Sequence, residues 1–365
     1  MLERFAGFVV ADEQAIELPP LKERLLVTFA LIAYNQEKYI REAVEGAFAQ
    51  TYEPLEIILS DDCSTDRTFE IMEEMADVYS GNHSIKLNKN TSNKGIGAHL
   101  NKIHLMANGT LIIHAAGDDI SERQRTSILV QAYNEEHYKP SLIISNGIII
   151  NKEGMPIKNQ ISVLESPVLD RPSDRYTRTL PIIGCTAAIS RELVLQFAPL
   201  PDGLIAEDAL LYRRAYLVNG VKYIPNKLVK YRTGQGIGIS STKSDSPSEY
   251  IRYYLMNSID SKLRWKQLKK DMESLKYHNI NVLNDIDRQL YISEKAIEAI
   301  TATKPTLSIL NLIRAARKSK KSEFSSLLRV SLAVLSPTSF KALRSLRKKL
   351  NLVAQTLSTY LKHQK

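Results

Sequence analysis

Three pairs of adjacent carboxylates, Asp61-Asp62, Asp118-Asp119 and Glu207-Asp208, are the residues best suited to do chemistry. The middle pair ends residues 110–121, TLIIHAAGDDIS, where Leu111, Ile112 and Ile113 are apolar and residues 115–117 are small. An apolar run bounded by glycine reads as a buried strand of a parallel sheet. Open α/β sheets bind ligands at the carboxyl ends of such strands. Two hard oxygen ligands placed there suit a divalent cation meeting a diphosphate. The competing reading is an aspartate that caps the next helix. Glu207-Asp208 has the same two readings, a proton acceptor or an acidic helix start favoured by the macrodipole.

The elements that position these pairs are read from periodicity. Residues 25–33 (LLVTFALIA) read as a buried strand that breaks at Tyr34-Asn35. Residues 37–50 put Ile40, Ala43, Val44, Ala47 and Phe48 on one helical face. Residues 55–60 are a second strand running into 61–66, and a helix comes next with Ile71, Met75 and Val78 predicted inward. A short strand at 84–90, a glycine-containing turn into a helix at 93–101, the 110–121 stretch and a helix through Ile128, Leu129 and Ala132 complete the series. This alternation predicts an α/β fold with a Rossmann-like, mostly parallel sheet, right-handed crossovers and helices on both faces.

After a strand at 141–151 the pattern is irregular through 163–178. Residues 184–190 (GCTAAIS) are small and polar, suited to a cleft wall. A helix from Glu207 to Val218 precedes a strand at 221–231 and a mobile glycine-rich loop at 233–240. From residue 248 the chain reads as helical, with Tyr250, Tyr253, Tyr254 and Trp265 giving the first helix an aromatic, packing side.

Cys63 and Cys185 are the only cysteines, which argues against a disulfide framework and fits a reducing compartment. The start, MLERFAGFVVADEQ, lacks the basic and apolar regions of a signal peptide, and no run approaches about 18 apolar residues. Residues 301–365 hold 14 of the 49 Lys and Arg residues but one of the 40 acids, Glu323, so the tail is about +13 and the rest about −4. Within the tail, Phe324, Leu327, Leu328, Leu332 and Leu335 form one apolar face before Pro337. Leu343, Leu346, Leu350, Val353, Leu357 and Tyr360 form a second. That spacing suits an interfacial helix or a short coiled coil, and the charge favours an anionic membrane surface.

Six motifs in order, IAYNQEKYI (32–40), ILSDDCSTDRT (58–68), NKGIGAHLN (93–101), AAGDDI (115–120), AED (206–208) and YR (231–232), resemble family 2 glycosyltransferases of the GT-A fold, of the bacterial surface-polysaccharide kind. The resemblance covers about residues 25–240. It divides the chain into an extension (1–24), a GT-A catalytic domain (25–240), a helical C-terminal extension (241–300) and a basic amphipathic tail (301–365).

The resemblance carries specific implications. Ala33, Tyr34, Asn35 and Glu37 would border the nucleotide, with Asp62 against the base and Lys94 near the diphosphate. A carboxylate accepts from the imide of uracil, thymine or guanine but not from cytosine, so the donor would be a UDP, dTDP or GDP sugar. Asp118 and then Asp119 would hold Mg2+ or Mn2+. Relatives often have Asp-x-Asp-Asp, and Ala116 stands at the first of those positions. Asp208, preceded by Glu207, would be the catalytic base of an inverting displacement. Many relatives have a histidine two residues after Tyr-Arg, where this chain has Gly234, and Arg232 is the residue that would compensate.

The function implied is single-sugar transfer to a glycan or polyprenyl-linked acceptor in surface polysaccharide synthesis. No Gln-x-x-Arg-Trp segment of processive synthases stands after Asp208. The protein would sit in the cytoplasm, peripheral to the inner face of the plasma membrane, with homo-oligomers forming through the tail and no nucleic acid bound. A nicotinamide-dependent oxidoreductase is disfavoured, because Gly-x-Gly-x-x-Gly is absent after the first strand. A non-catalytic glycan- or nucleotide-binding protein with a decayed site remains open on account of Ala116 and Gly234.

Overall fold

The computed structural model describes residues 18–135, 139–158, 184–233 and 246–301. The irregular stretch, the glycine-rich loop with Gly234, the tail and nearly all of the N-terminal extension lie outside them. The first apolar run forms strand β1 (Val27–Ala33). It is flanked in parallel by β2 (Leu55–Asp61) on one side and β4 (Leu111–Ala116) on the other, with β3 (Ser84–Lys89) beyond β2. Helices α1 (Ile40–Phe48), α2 (Thr68–Asp77) and α3 (Ile96–Met106) make the crossovers. Register sets Ala33 beside Asp61 and Ile32 beside Ala116. The loops after β1, β2 and β4 therefore open at one edge of the sheet.

Beyond β4 the sheet becomes mixed. Strand β8 (Ala187–Ser190) pairs antiparallel with both β4 and β6 (Leu142–Ile150). Strand β6 runs parallel to β9 (Val221–Arg232) and antiparallel to the short β7 (Pro156–Lys158). The two-residue β5 (Ile120–Ser121) pairs antiparallel with β9, matching Ile120 to Lys230 and Ser121 to Val229. The order is β3-β2-β1-β4-β8-β6-β9-β5. The β5–β9 pairing matters most for the site, because it brings Tyr231 and Arg232 to the Asp118-Asp119 turn.

One core lies between the sheet and α1, α2 and α4 (Arg125–Glu135), built on Phe29, Leu31, Ile57, Leu59, Ile113 and Leu129. On the opposite face Leu142, Ile144 and Ile189 pack with Leu210 of α6 (Glu207–Leu217), which comes after the short α5 (Arg191–Gln196). Trp265 and Leu268 of α7 (Pro247–Ser274) and Val282 and Ile286 of α8 (Ile280–Thr301) complete this second core. The helical extension thus shares a core with the sheet. A buried bidentate pair, Arg214 Nε and Nη2 to Asp271 at 2.8 and 3.2 Å, ties α6 to α7.

Boundaries shift by a few residues from the periodicity, as at α1, which begins at Ile40. One predicted core residue is corrected. Val78 is 80% exposed, whereas Ile71 and Met75 are buried. Helix α2 stops at Asp77, so Val78 lies past the last turn and off its inward face.

Candidate active site

The Asp118-Asp119 turn is shaped by Gly117. Its N–H donates to Ile32 O at 2.9 Å, seating the turn against β1. A Cβ there would lie 2.5 Å from Gln36 Oε1 and 2.7 Å from Ala33 Cβ, so only glycine fits. Asp118 and Asp119 are 4% and 5% exposed. Burial raises the Asp118 carboxyl above its ordinary range, while Arg232 and a hydrogen bond from Gln36 act against that. Asp119 is pushed up to about 7 by burial and by the charge of Asp118, with Cys185 beside it acting the other way.

Two adjacent buried carboxylates that repel each other fit a divalent cation, which would favour both ionised forms. Asp119 Oδ1 accepts from Arg232 N–H at 2.7 Å, and Asp119 Oδ2 is buried with no partner. Among the described residues no group of three or more His, Cys, Asp or Glu residues is placed to hold a metal. A cation here would take further ligands from a diphosphate and water.

Arg232 is held by several protein acceptors beside the turn. Its side chain is 1% exposed and lies 4.5 Å from the Tyr39 ring centroid. Nε donates to Asp118 O, Nη1 to Asn151 O and Lys152 O, and Nη2 to Glu42 Oε2, at 2.7–3.2 Å. The guanidinium thereby braces the turn that carries Asp118.

The first two loops of this edge brace each other. Asn35, at φ 52°, donates its N–H to Ser64 Oγ at 2.8 Å and accepts from Thr65 N–H at 2.9 Å. Glu37 N–H donates to Asp66 Oδ2, and Glu37 Oε2 accepts from Arg67 N–H. Gln36 N–H donates to Thr68 Oγ1 at 2.7 Å. Tyr34 is half-buried at the mouth of these loops. Asp66 accepts from Thr68 N–H at 3.0 Å, a local Asx-type turn.

Asp62 reaches into the third loop. Its Oδ1 accepts from Asn90 Nδ2 at 2.7 Å and Lys94 N–H at 2.9 Å, and Oδ2 accepts from Gly95 N–H at 2.9 Å. A carboxylate offers about four acceptor sites, so one remains on Oδ2. The Lys94 side chain is exposed at the same edge. Behind Asp62 a polar network continues through Asn88, Ser60 and His99, with Ser60 Oγ 2.6 Å from His99 Nε2.

Glu207 and Asp208 open α6 across from the first carboxylates. Burial raises Asp208 to about 6 and Glu207 well above its ordinary range, the latter also through the charge of Asp208. Residues 184–186 form a single 3-10 turn between the two halves of the site. A Cβ on Gly184 would lie 3.0 Å from Glu207 Oε1, and Cys185 lies against Asp119. The expected cleft wall thus joins the Asp119 side to the Asp208 side. Tyr231 faces both: burial raises its hydroxyl to about 12, and Cys185, Asp119, Asp118 and Asp208 each add to that. Arg125, wholly buried beneath the turn, donates to Ser121 Oγ, His114 O and Cys185 O.

Sequence reasoning missed Gln36, Gly117, Cys185 and Tyr231 as parts of the site. All four lie inside motifs or segments already of interest, so adjacency in the chain was the only signal available.

A parallel α/β half whose strand-end loops converge on an aspartate pair, continued by a mixed half bearing a second acidic pair, is a GT-A glycosyltransferase architecture. Residues 28–196 match the model of the family described as Glycosyl transferase family 2. EpsE of Bacillus subtilis, named as a glycosyltransferase, is 36% identical over 120 residues, 33% of this chain and 42% of its own. The poly(ribitol-phosphate) beta-N-acetylglucosaminyltransferase TarS of Staphylococcus aureus is 26% identical over 248 residues, 64% of this chain and 40% of its own. The chain thus spans less than half the length of these curated relatives. The crystal structure of TarS 1–349 with UDP-GlcNAc has a TM-score of 0.51 at 19% identity, covering 84% of this chain and 91% of that one. The mannosyltransferase PcManGT of Pyrobaculum calidifontis, with GDP-Man and Mn2+, has a TM-score of 0.50 at 16% identity, covering 91% and 90%. At these identities the two structures speak for the fold.

Proposed function

We propose that the protein moves one sugar from a UDP, dTDP or GDP sugar to a glycan or polyprenyl-linked acceptor, with inversion at the anomeric carbon. The observation that carries this reading is the place of Asp208 in the first turn of α6, against the 184–186 turn that also borders Asp119, where burial raises its carboxyl to about 6. A base with that pKa is mostly ionised at neutral pH and still basic enough to accept a hydroxyl proton in the transition state. Asp208 takes the proton of the acceptor hydroxyl as its oxygen attacks the anomeric carbon opposite the diphosphate. One displacement gives inversion. Nucleotide contacts are assigned to Ala33, Tyr34, Asn35, Glu37, Asp62, Lys94 and Asp118.

Asp118 and Asp119 would hold Mg2+ or Mn2+ together with diphosphate oxygens. When bound, the ion would supply Lewis-acid stabilisation of charge on the departing nucleoside diphosphate. The orphaned Asp119 Oδ2 supports Asp119 as a ligand at least as strongly as Asp118. The name of TarS, an N-acetylglucosaminyltransferase of poly(ribitol-phosphate), supports a surface-polymer acceptor, and the neighbours' UDP-GlcNAc and GDP-Man support the donor class. No helix among the described residues is long and apolar enough to cross a membrane. Attachment to the cytoplasmic face through the basic tail is part of the proposal.

The test is release of nucleoside diphosphate from a panel of sugar nucleotides. Wild type should turn over at least one donor, with kcat/KM falling as pH drops through about 6, where Asp208 protonates. Asp208→Asn should bind that donor with unchanged Kd and not transfer it. Equal loss of binding in Asp208→Asn would show that the base is misassigned.

A further inference from the structure

Helix α6 begins without a cap of its own: Ala206, at its N-cap, has no side-chain acceptor. The chain entering it is instead held by an acceptor from α7. Asp260, 2% exposed, receives Ile205 N–H at 2.7 Å and Ala206 N–H at 3.0 Å on Oδ1. Its Oδ2 receives Arg264 Nε at 2.7 Å, one helical turn further along α7. Both oxygens are therefore committed, one to the chain entering the Glu207-Asp208 pair and one to a neighbouring cation. A carboxylate accepting backbone N–H groups in a buried setting fixes the path of the chain immediately beyond them.

We propose that Asp260, with its partner Arg264, is a positioning residue for the base, so that the helical extension holds Asp208 in place and sets the charge around it. The proposal rests on the reading of Asp208 as the base. The charged and titratable groups around Asp208 come from three elements. Glu207 and Arg213 lie on α6, Asp260 and Arg264 on α7, and Tyr231 on β9. Arg264 and Arg213 favour ionised Asp208, and Asp260 opposes it. Arg213 is held in place by donating to Ala209 O at 2.6 Å and by lying 4.6 Å from the Trp265 ring centroid.

The two members of the α7 pair thus act on Asp208 with opposite sign. Asp260→Asn keeps an oxygen for the Ile205 and Ala206 N–H groups but removes a negative charge, so Asp208 should titrate lower. Arg264→Gln removes a positive charge, so Asp208 should titrate higher. A purely structural role would move both variants in the same direction or neither.

The experiment uses the full chain and three readouts. The Asp208 carboxyl is titrated by carbon NMR and identified by its disappearance in Asp208→Asn. Amide exchange is monitored at residues 205–208. Release of nucleoside diphosphate from the donor found active is measured against pH. The proposal predicts a shift of about one pH unit downward in Asp260→Asn and upward in Arg264→Gln, in both the titration and the acid limb of kcat, with donor KM unchanged. Asp260→Ala should speed exchange at Ile205 and Ala206 by about tenfold, which Asp260→Asn should largely restore. Unchanged titrations, shifts of the same sign, or unmoved exchange in Asp260→Ala would overturn it. Should Asp260→Ala fail to fold, the Asn and Gln variants decide the matter. If Asp208→Asn transferred sugar, the base assignment would fall, while the titration and exchange would still judge the positioning role.

Discussion

Gly117 shows how much of this site depends on single contacts. The backbone of the turn passes so close to Gln36 and Ala33 that a methyl group has no space. Gly117→Ala should cost about 1–3 kcal/mol in thermal unfolding, the usual penalty of overpacking. It should also weaken nucleotide binding, because it displaces the turn that carries Asp118 and its backbone hydrogen bond. An unchanged Tm and Kd would mean that the turn relaxes freely. The pairs Asp118-Asp119 and Glu207-Asp208 were legible in the sequence because each sits in a short motif at the end of a periodic element. The work of Arg232 was not, since its partners Glu42, Asn151 and Lys152 are remote in sequence. A local reading gives an arginine a charge but not its destination.

At the scale of elements, β4 and α3 meet through two buried histidines. His104 Nε2 and His114 Nε2 are 3.0 Å apart and the rings stack at 5.2 Å. One ring donates and the other accepts, a bond that is lost once both rings are protonated. Burial lowers His104 to about 4 and His114 well below its ordinary value. The unfolded chain takes up these protons near pH 6.5 while the native state does not, so stability is full above that pH and is lost as pH falls toward 4. His104→Gln should flatten the fall in urea-unfolding free energy between about pH 6.5 and 4.5 by about 1.4 kcal/mol per pH unit. Equal slopes in variant and wild type would contradict the buried neutral pair. The parallel half of the sheet was legible from strand–helix alternation, whereas β8 inserted antiparallel between β4 and β6 was not. Four residues of strand carry too little periodicity to announce their partners.

Across the whole molecule, the body and the tail divide by charge, about −4 against +13. The proposed membrane attachment belongs to residues 301–365 alone, so their deletion should release the protein from anionic vesicles while sparing sugar-nucleotide hydrolysis. Vesicle binding that persists in sedimentation would move the attachment elsewhere. Trp265, Leu268 and Ile286, which follow the boundary drawn at residue 240 from the extent of the motifs, share a core with Leu142 and Ile189. Only long-range contacts reveal this, as they reveal Asp260 at the start of α6. The proposed function stands or falls on a nucleoside diphosphate held against a cation at Asp118-Asp119, and calorimetric titration of UDP, dTDP and GDP with and without Mn2+ measures that binding itself. One of the three should bind, more tightly with Mn2+, and Asp119→Asn should remove the metal-dependent gain. Failure of all three to bind wild-type protein, with or without the metal, would contradict it.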